Sequence, residues 1–196
     1  MPSDPLPAHS LAEAFLYVMV TPCPACGNGP LRAADGRPVS ADADNMVLLP
    51  VTCAKCAHIS QWTFVLDVAP IAEAGESATI NATDEPSRII DLVQWITLAH
   101  VIIEAASREG EKQKARHLGI EAAQCLEEAL KFYGQDNDLP ESDAFFSDAS
   151  RKKMSEQPQS FSRQRLVHLR SKLPAMTVMR SRLNPATPKK KRWWFW

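Results

Sequence analysis

The chain has 196 residues, 45% of them hydrophobic and 23% charged. These are ordinary figures for a folded protein and exclude a collagen-like, wholly coiled-coil or wholly disordered chain. The net charge of −1 conceals a division. Residues 1–150 carry 22 acidic and 9 basic side chains, a net −13, while residues 151–196 carry 13 basic side chains against Glu156 alone, a net +12. Such asymmetry predicts an acidic body followed by a basic interaction segment.

The opening MPSDPLPAHS contains no Lys or Arg, unlike the basic start of a secretory signal, and reads as a loose lead-in through residue 9. Ser10 and Glu13 have the spacing of a capping box, which predicts a short helix towards Val20. The β-friendly run Leu16–Val20 makes a strand the competing assignment. Residues 33–45 are small and polar and read as loop. Met46–Val51 reads as a strand, with Pro50 placing it at an edge or at the approach to a turn. Ser60–Asp67 alternates, with Trp62, Phe64 and Leu66 on one face and Gln61, Thr63 and Asp67 on the other, the pattern of a half-buried strand.

From Pro86 the period changes to that of a helix. Ile89, Leu92, Val93, Ile96, Ala99 and Ile103 form its apolar face, and Arg88, Asp91 and Glu104 its polar stripe. The apolar segment at 89–106 includes Asp91, His100 and Glu104, charges too costly for a membrane span, so it reads as a buried helix. Arg108-Glu109-Gly110 breaks it. A second helix carries Ala115, Leu118, Ala122, Leu126, Ala129, Leu130 and Tyr133 on one face and stops at Gly134, with Pro140 beyond. Two helices with a short connection predict an antiparallel hairpin. Ala144-Phe145-Phe146 is placed as a docking turn. Leu166, Leu169 and Leu173 predict a basic amphipathic helix within 162–173, and from Pro174 onward the composition predicts disorder.

The chemistry concentrates in the spacing Cys23-x2-Cys26-x26-Cys53-x2-Cys56. Each Cys-x-x-Cys puts two thiolates on one tight turn, and two such turns supply the four sulfurs that Zn²⁺ accepts in structural sites. Two such pairs arising by chance among five cysteines is on the order of half a percent. These residues, about 15–67, resemble the zinc-ribbon family, whose paired knuckles sit on small β-hairpins. CPACG matches the family knuckle. CAKCA lacks the glycine customary after the second cysteine. The resemblance implies a structural zinc on Cys23, Cys26, Cys53 and Cys56, and it leaves function open, since such ribbons bind nucleic acid, proteins or only their own metal. The rival uses of the same thiols are a rubredoxin-like iron centre passing electrons, and dithiol redox at Cys23 and Cys26. His58 is placed outside the ligand set, Cys125 as a small core residue, and His100 as a core histidine.

No Ser/His/Asp set, phosphate loop or H-E-x-x-H motif is present, so the expectation is a non-catalytic protein with no small-molecule substrate. With five cysteines and no secretory signal, a cytoplasmic protein is expected. The C-terminal end is the second feature. Lys189, Lys190, Lys191 and Arg192 are followed by Trp193, Trp194, Phe195 and Trp196. Cations with indoles suit docking onto a protein pocket, phosphates with stacked bases, or an anionic membrane surface. The whole is expected to be α+β: a zinc-ribbon unit over residues 1–82, a helical hairpin with a docking segment over 83–154, and a basic flexible tail over 155–196. The expected role is a zinc-binding adaptor whose tail docks onto a partner protein or assembly. A nucleic-acid-binding zinc-ribbon protein is the alternative and an electron carrier the third.

Overall fold

The computed structural model describes residues 4–33, 39–40, 45–67, 80–134 and 137–174. It is a mixed α+β structure. In chain order its elements are β1 (Leu6–Ala8), α1 (Leu11–Val20), β2 (Leu31–Ala33), β3 (Val39–Ser40), β4 (Met46–Cys53), β5 (Ile59–Leu66), α2 (Leu92–Arg108), α3 (Lys112–Leu130), α4 (Asp148–Glu156) and α5 (Arg163–Ser171), with single 3₁₀ turns at Ser142–Ala144 and Pro158–Phe161. The C-terminal segment Lys189–Trp196 lies outside the described residues.

The sheet runs β1-β5-β4-β2, with β3 also paired to β4. β4 and β5 form an antiparallel hairpin in which Leu49 faces Trp62 and Val47 faces Phe64. Alternation puts Val47, Leu49, Val51 and Cys53 of β4, and Ser60, Trp62, Phe64 and Leu66 of β5, on the buried face. Each large apolar side chain buried there stabilises by about 1.5–3 kcal/mol. The buried Ser60 has a partner, because Trp62 Nε1–H donates to its Oγ at 3.1 Å.

Pro50 does not confine β4 to an edge, as composition suggested. β4 is paired on both sides. Cys53 N–H bonds to the His58 carbonyl and Leu66 N–H to the Asn45 carbonyl. The alternation between these two bonds turns the nitrogen of Pro50, which faces Gln61, away from β5. On the other side it falls between the stretches that pair with β2 and β3. Among the described residues no ladder bond is lost there, which is how an inner strand keeps a proline.

Two further strands differ from the sequence expectation: β1, and β3, which pairs with β4 inside the stretch 33–45 read as loop. The lead-in contains β1, which pairs in parallel with β5. Being an outermost strand it tolerates Pro7, and three residues are too few to display a period. Leu11–Val20 is the helix that the Ser10 and Glu13 spacing predicts, and not the competing strand. Ser10 Oγ accepts from Glu13 N–H at 3.2 Å, while the Glu13 carboxylate reaches back one residue further than a standard capping box, to His9 N–H at 2.5 Å. Tertiary contacts favour the helix over strand propensity: the Tyr17 ring meets Trp62 and Phe64 edge-on, with centroids 5.5 and 6.0 Å apart.

α2 begins at Leu92, six residues later than Pro86. Asp91 is its N-cap rather than part of a polar stripe: Asp91 Oδ1 accepts from Gln94 N–H at 2.9 Å and Gln94 Oε1 from Asp91 N–H at 2.8 Å, a complete capping box. Pro86 serves elsewhere, through its carbonyl. α2 and α3 are joined by three residues and pack along each other. Trp95, Ala99, Ala122, Leu126 and Ala129 lie fully buried within an apolar cluster that extends from Ala8 to Leu166. His100 is exposed, not in the core, because it shares the solvent side of α2 with Val101 and Glu104.

Residues 157–174 are packed chain. Phe161 and Leu166 are buried, with Leu169 and Leu173 against the same cluster. Asp138 anchors α5 from outside the helix: its carbonyl accepts from Arg163 N–H at 2.8 Å, and its Oδ1 from Gln164 N–H at 3.0 Å and Ser162 Oγ–H at 3.1 Å. Arg170 Nε–H donates to Glu127 of α3 at 2.8 Å, and Pro174 closes on Gly119, where an added Cβ would sit 3.0 Å from the proline ring.

One polar knot ties the sheet to the helices. His9 is buried; its Nδ1 lies 2.7 Å from Asp67 Oδ2 and its Nε2 3.2 Å from the Pro86 carbonyl. Arg88 holds both Asp67 oxygens at 2.6 Å. Desolvation opposes ionisation of Asp67, but hydrogen bonds from Arg88 and His9, and then their charges, outweigh it and hold the carboxyl below its ordinary value of 3.8. The contribution of Asp67 to stability is therefore present above that value and lost as pH falls through the lower folded value. Urea titrations between pH 2 and 5 are expected to show less acid destabilisation in Asp67→Asn than in the parent chain. Equal acid slopes would exclude Asp67 as a source of acid sensitivity.

Candidate metal centre

Local backbone chemistry builds the two cysteine turns alike. In the first, Gly27 N–H bonds to the Cys23 carbonyl at 2.8 Å and Cys23 N–H to the Asn28 carbonyl at 2.5 Å. In the second, Ala57 N–H bonds to the Cys53 carbonyl at 3.0 Å and Cys53 N–H to the His58 carbonyl at 2.9 Å. The residue after each second cysteine is left-handed, Gly27 at φ 65° and Ala57 at φ 57°. The missing glycine of CAKCA thus leaves the turn geometry unchanged and makes an alanine bear the strain.

An L-residue in that region costs about 1–2 kcal/mol, against about 0.5–1 kcal/mol of entropy saved relative to glycine. Ala57→Gly is expected to stabilise by about 0.5–1 kcal/mol, and Gly27→Ala to destabilise by a similar amount. No atom lies within 4 Å of a Cβ built on Gly27, so the second effect is backbone strain alone. Chemical denaturation of both variants checks the pair of opposite signs.

The strands bring the turns together. The second turn is the tip of the β4–β5 hairpin. The first lies between α1 and β2, and so is not itself on a hairpin, unlike the paired hairpins of a zinc ribbon. β2 pairs with the end of β4, setting Leu31 opposite Cys53, and Ala54 N–H bonds to the Pro30 carbonyl at 3.0 Å. The register therefore places the exit of the first turn directly against the second.

The four Sγ atoms of Cys23, Cys26, Cys53 and Cys56 all lie within 4.8 Å of one another. Across the turns, Cys23 and Cys56 are 3.7 Å apart and Cys26 and Cys53 are 3.8 Å apart. A disulfide requires a separation of about 2.05 Å. A tetrahedron of sulfurs around zinc, with Zn–S of about 2.3 Å, has edges of about 3.8 Å. The spacing thus fits a metal ion and not a disulfide. Cys23 and Cys53 are buried, Cys26 is half-buried and Cys56 exposed, so an ion would enter from the side of the second cysteines.

The backbone also prepares the thiols. N–H groups of Cys56 and Lys55 favour the Cys53 thiolate, lowering that thiol to about 6, the Lys55 N–H standing 3.4 Å from its Sγ. Cys56 moves up to about 12. The His58 N–H favours its thiolate, but desolvation and the three neighbouring thiols together outweigh that bond. A cation bound by thiolates displaces the protons that the thiols carry. His58 acts here through its backbone N–H. Cys125 is fully buried, and its thiol is raised to about 12 mainly by desolvation, the behaviour of an inert core residue.

Comparison with family models, curated proteins and solved structures finds no match to this chain.

The cysteine cluster therefore stands on its own geometry. His9 is the polar residue that sequence reasoning passed over. Its partners lie 58 and 77 positions away, and no local spacing announces it. Among the described residues no helix is long and apolar enough to cross a membrane.

Proposed function

We propose that this chain is a non-catalytic zinc-binding adaptor. Zinc on Cys23, Cys26, Cys53 and Cys56 holds the strand-end turns in place, and the basic, aromatic-ended segment Lys189–Trp196 docks onto a partner protein or assembly. The observation that carries the metal half is the set of four sulfurs within 4.8 Å of one another, two of whose separations, 3.7 and 3.8 Å, match the edge of a zinc tetrahedron. Four thiolates fill the coordination sphere of zinc, so the ion would staple rather than catalyse. Iron accepts the same four sulfurs; zinc is preferred because the second turn departs from the paired glycines of rubredoxins, ending Cys56-Ala57. The docking half rests on the sequence, where four cations precede four aromatic side chains, a combination suited to anchoring in a pocket.

The docking half is tested with tagged full-length chain and the chain lacking Lys189–Trp196, each exposed to cell extract and washed at rising salt. A discrete protein retained through high salt by the full chain and absent from the shortened one is expected. Equal retention by both would remove the docking role from this segment.

A nucleic-acid partner is the second reading, favoured by the exposed cations Arg165 and Lys172 at and just beyond the end of α5.

A further inference from the structure

The four sulfurs of the cluster are not equally reachable. Cys23 and Cys53, the first cysteine of each turn, are 1% exposed. Cys26 is half-buried and Cys56 exposed. Each short cross-turn distance joins a sheltered cysteine to a more open one: Cys23 to Cys56 at 3.7 Å, and Cys53 to Cys26 at 3.8 Å. Cys56 is therefore an open sulfur with a buried partner beside it.

The charge around the turns also differs from that of the body. Residues 14–33 and 45–66 supply both turns, β2, β4 and β5. They contain no Asp or Glu, whereas residues 1–150 carry a net −13. Lys55, inside the second turn, is exposed, as is Arg32, which stands opposite Thr52. Reactive cysteines sit in partly exposed, electropositive surroundings, while buried ones are inert. Cys125 has neither feature: it is fully buried, and desolvation first, then the charges of Glu121 and Glu128, oppose its thiolate.

We infer that Cys56 is the site at which a hydroperoxide oxidises the centre, with Cys23 as the resolving thiol, so that oxidation costs the chain its metal. This deepens the zinc reading above and rests on it. A thiol that ligates a cation is held as thiolate, the nucleophilic form. The Cys56 thiolate attacks one oxygen of hydrogen peroxide; an S–O bond forms, the O–O bond breaks and hydroxide leaves, giving a sulfenic acid. The Cys23 thiolate attacks that sulfur; an S–S bond forms, the S–O bond breaks and a second hydroxide leaves. The two thiolates lose two electrons and one peroxide gains them. Only Cys26 and Cys53 then remain as ligands, too few for a closed four-sulfur site. The β2–β4 register already holds the two turns together, so the closure from 3.7 Å to the bond length of about 2.05 Å is a local one.

The test uses the full-length chain, its zinc content measured first, treated with up to ten equivalents of hydrogen peroxide. Zinc release is read by a chromogenic chelator. Sulfenic acid is trapped with dimedone and located by mass spectrometry. Disulfides are mapped by trypsin digestion after free thiols are blocked. Trypsin cuts after Arg32, Lys55 and Arg88, so the first turn, Cys53 and Cys56 leave on the separate peptides 1–32, 33–55 and 56–88. The expected result is loss of one zinc per chain, dimedone on Cys56, and a disulfide joining 1–32 to 56–88 that fragmentation places on Cys23. A dithiol reductant is expected to restore zinc binding.

A disulfide within either turn, dimedone first on Cys26 or Cys125, or zinc retained through ten equivalents would overturn the inference. A starting chain without zinc would overturn the zinc reading and with it the loss of metal. The disulfide map would then decide the pairing alone, a Cys23–Cys56 bond supporting it and a bond within one turn overturning it.

Discussion

Cys53→Ser is expected to lose the metal and to lower the melting temperature by about 10 °C. A ligand present at 1,000 times its Kd contributes about 4 kcal/mol to a fold that binds it only when folded, and a chain of this size loses about 2–4 °C per kcal/mol. The loss is that of the metal alone, because the sulfur of Cys53 lies in the cluster, while serine keeps the N–H and carbonyl that close the second turn and the place opposite Leu31 in the β2–β4 ladder. A chelator is expected to bring the parent chain down to the variant's melting temperature and to leave the variant unmoved. Metal lost with thermal stability retained would show that the strands hold themselves and the ion is incidental.

Leu166→Ala is expected to cost about 2–4 kcal/mol, read as a shifted midpoint in denaturant. Leu166 is 2% exposed and sits where α5 meets the main cluster. Tyr133 O–H, donating to the Phe161 carbonyl at 2.8 Å, and the Asp138 anchor hold the segment around it and keep the site from collapsing onto a smaller side chain. Deletion of Lys189–Trp196 is the matched control and is expected to leave the midpoint in place. A Leu166→Ala cost below about 0.5 kcal/mol, the range of surface substitutions, would mean that α5 is not packed against the body.

The cluster was legible because ligand chemistry fixes spacing: two Cys-x-x-Cys pairs announce four sulfurs before any fold is known. The Ser60–Leu66 alternation and the Leu166–Leu169–Leu173 stripe were legible for a similar reason, since one buried face imposes its period. What escaped was set by distant partners. β1 is three residues long and exists because β5 offers it an edge. Pro50 could be placed on an inner strand only by knowing where β2 and β3 stop. α1 competes with a strand until Trp62 and Phe64 are seen beneath Tyr17. His100 lies in an apolar run, yet the run is longer than one helix face, and its phase puts His100 outward. The left-handed Ala57 could be read from its equivalence to Gly27, but only once both turns were known to make the same hydrogen bonds.

The most direct test of the central claim is metal content by mass spectrometry of the purified full-length chain, with cobalt substitution to report the ligands. One zinc per chain is predicted, replaced by cobalt with the intense thiolate-to-metal absorption of a four-sulfur tetrahedral site, and abolished in Cys53→Ser. A chain that holds no metal, and whose melting temperature ignores chelators, would contradict a structural zinc; one iron per chain would move the centre to electron transfer.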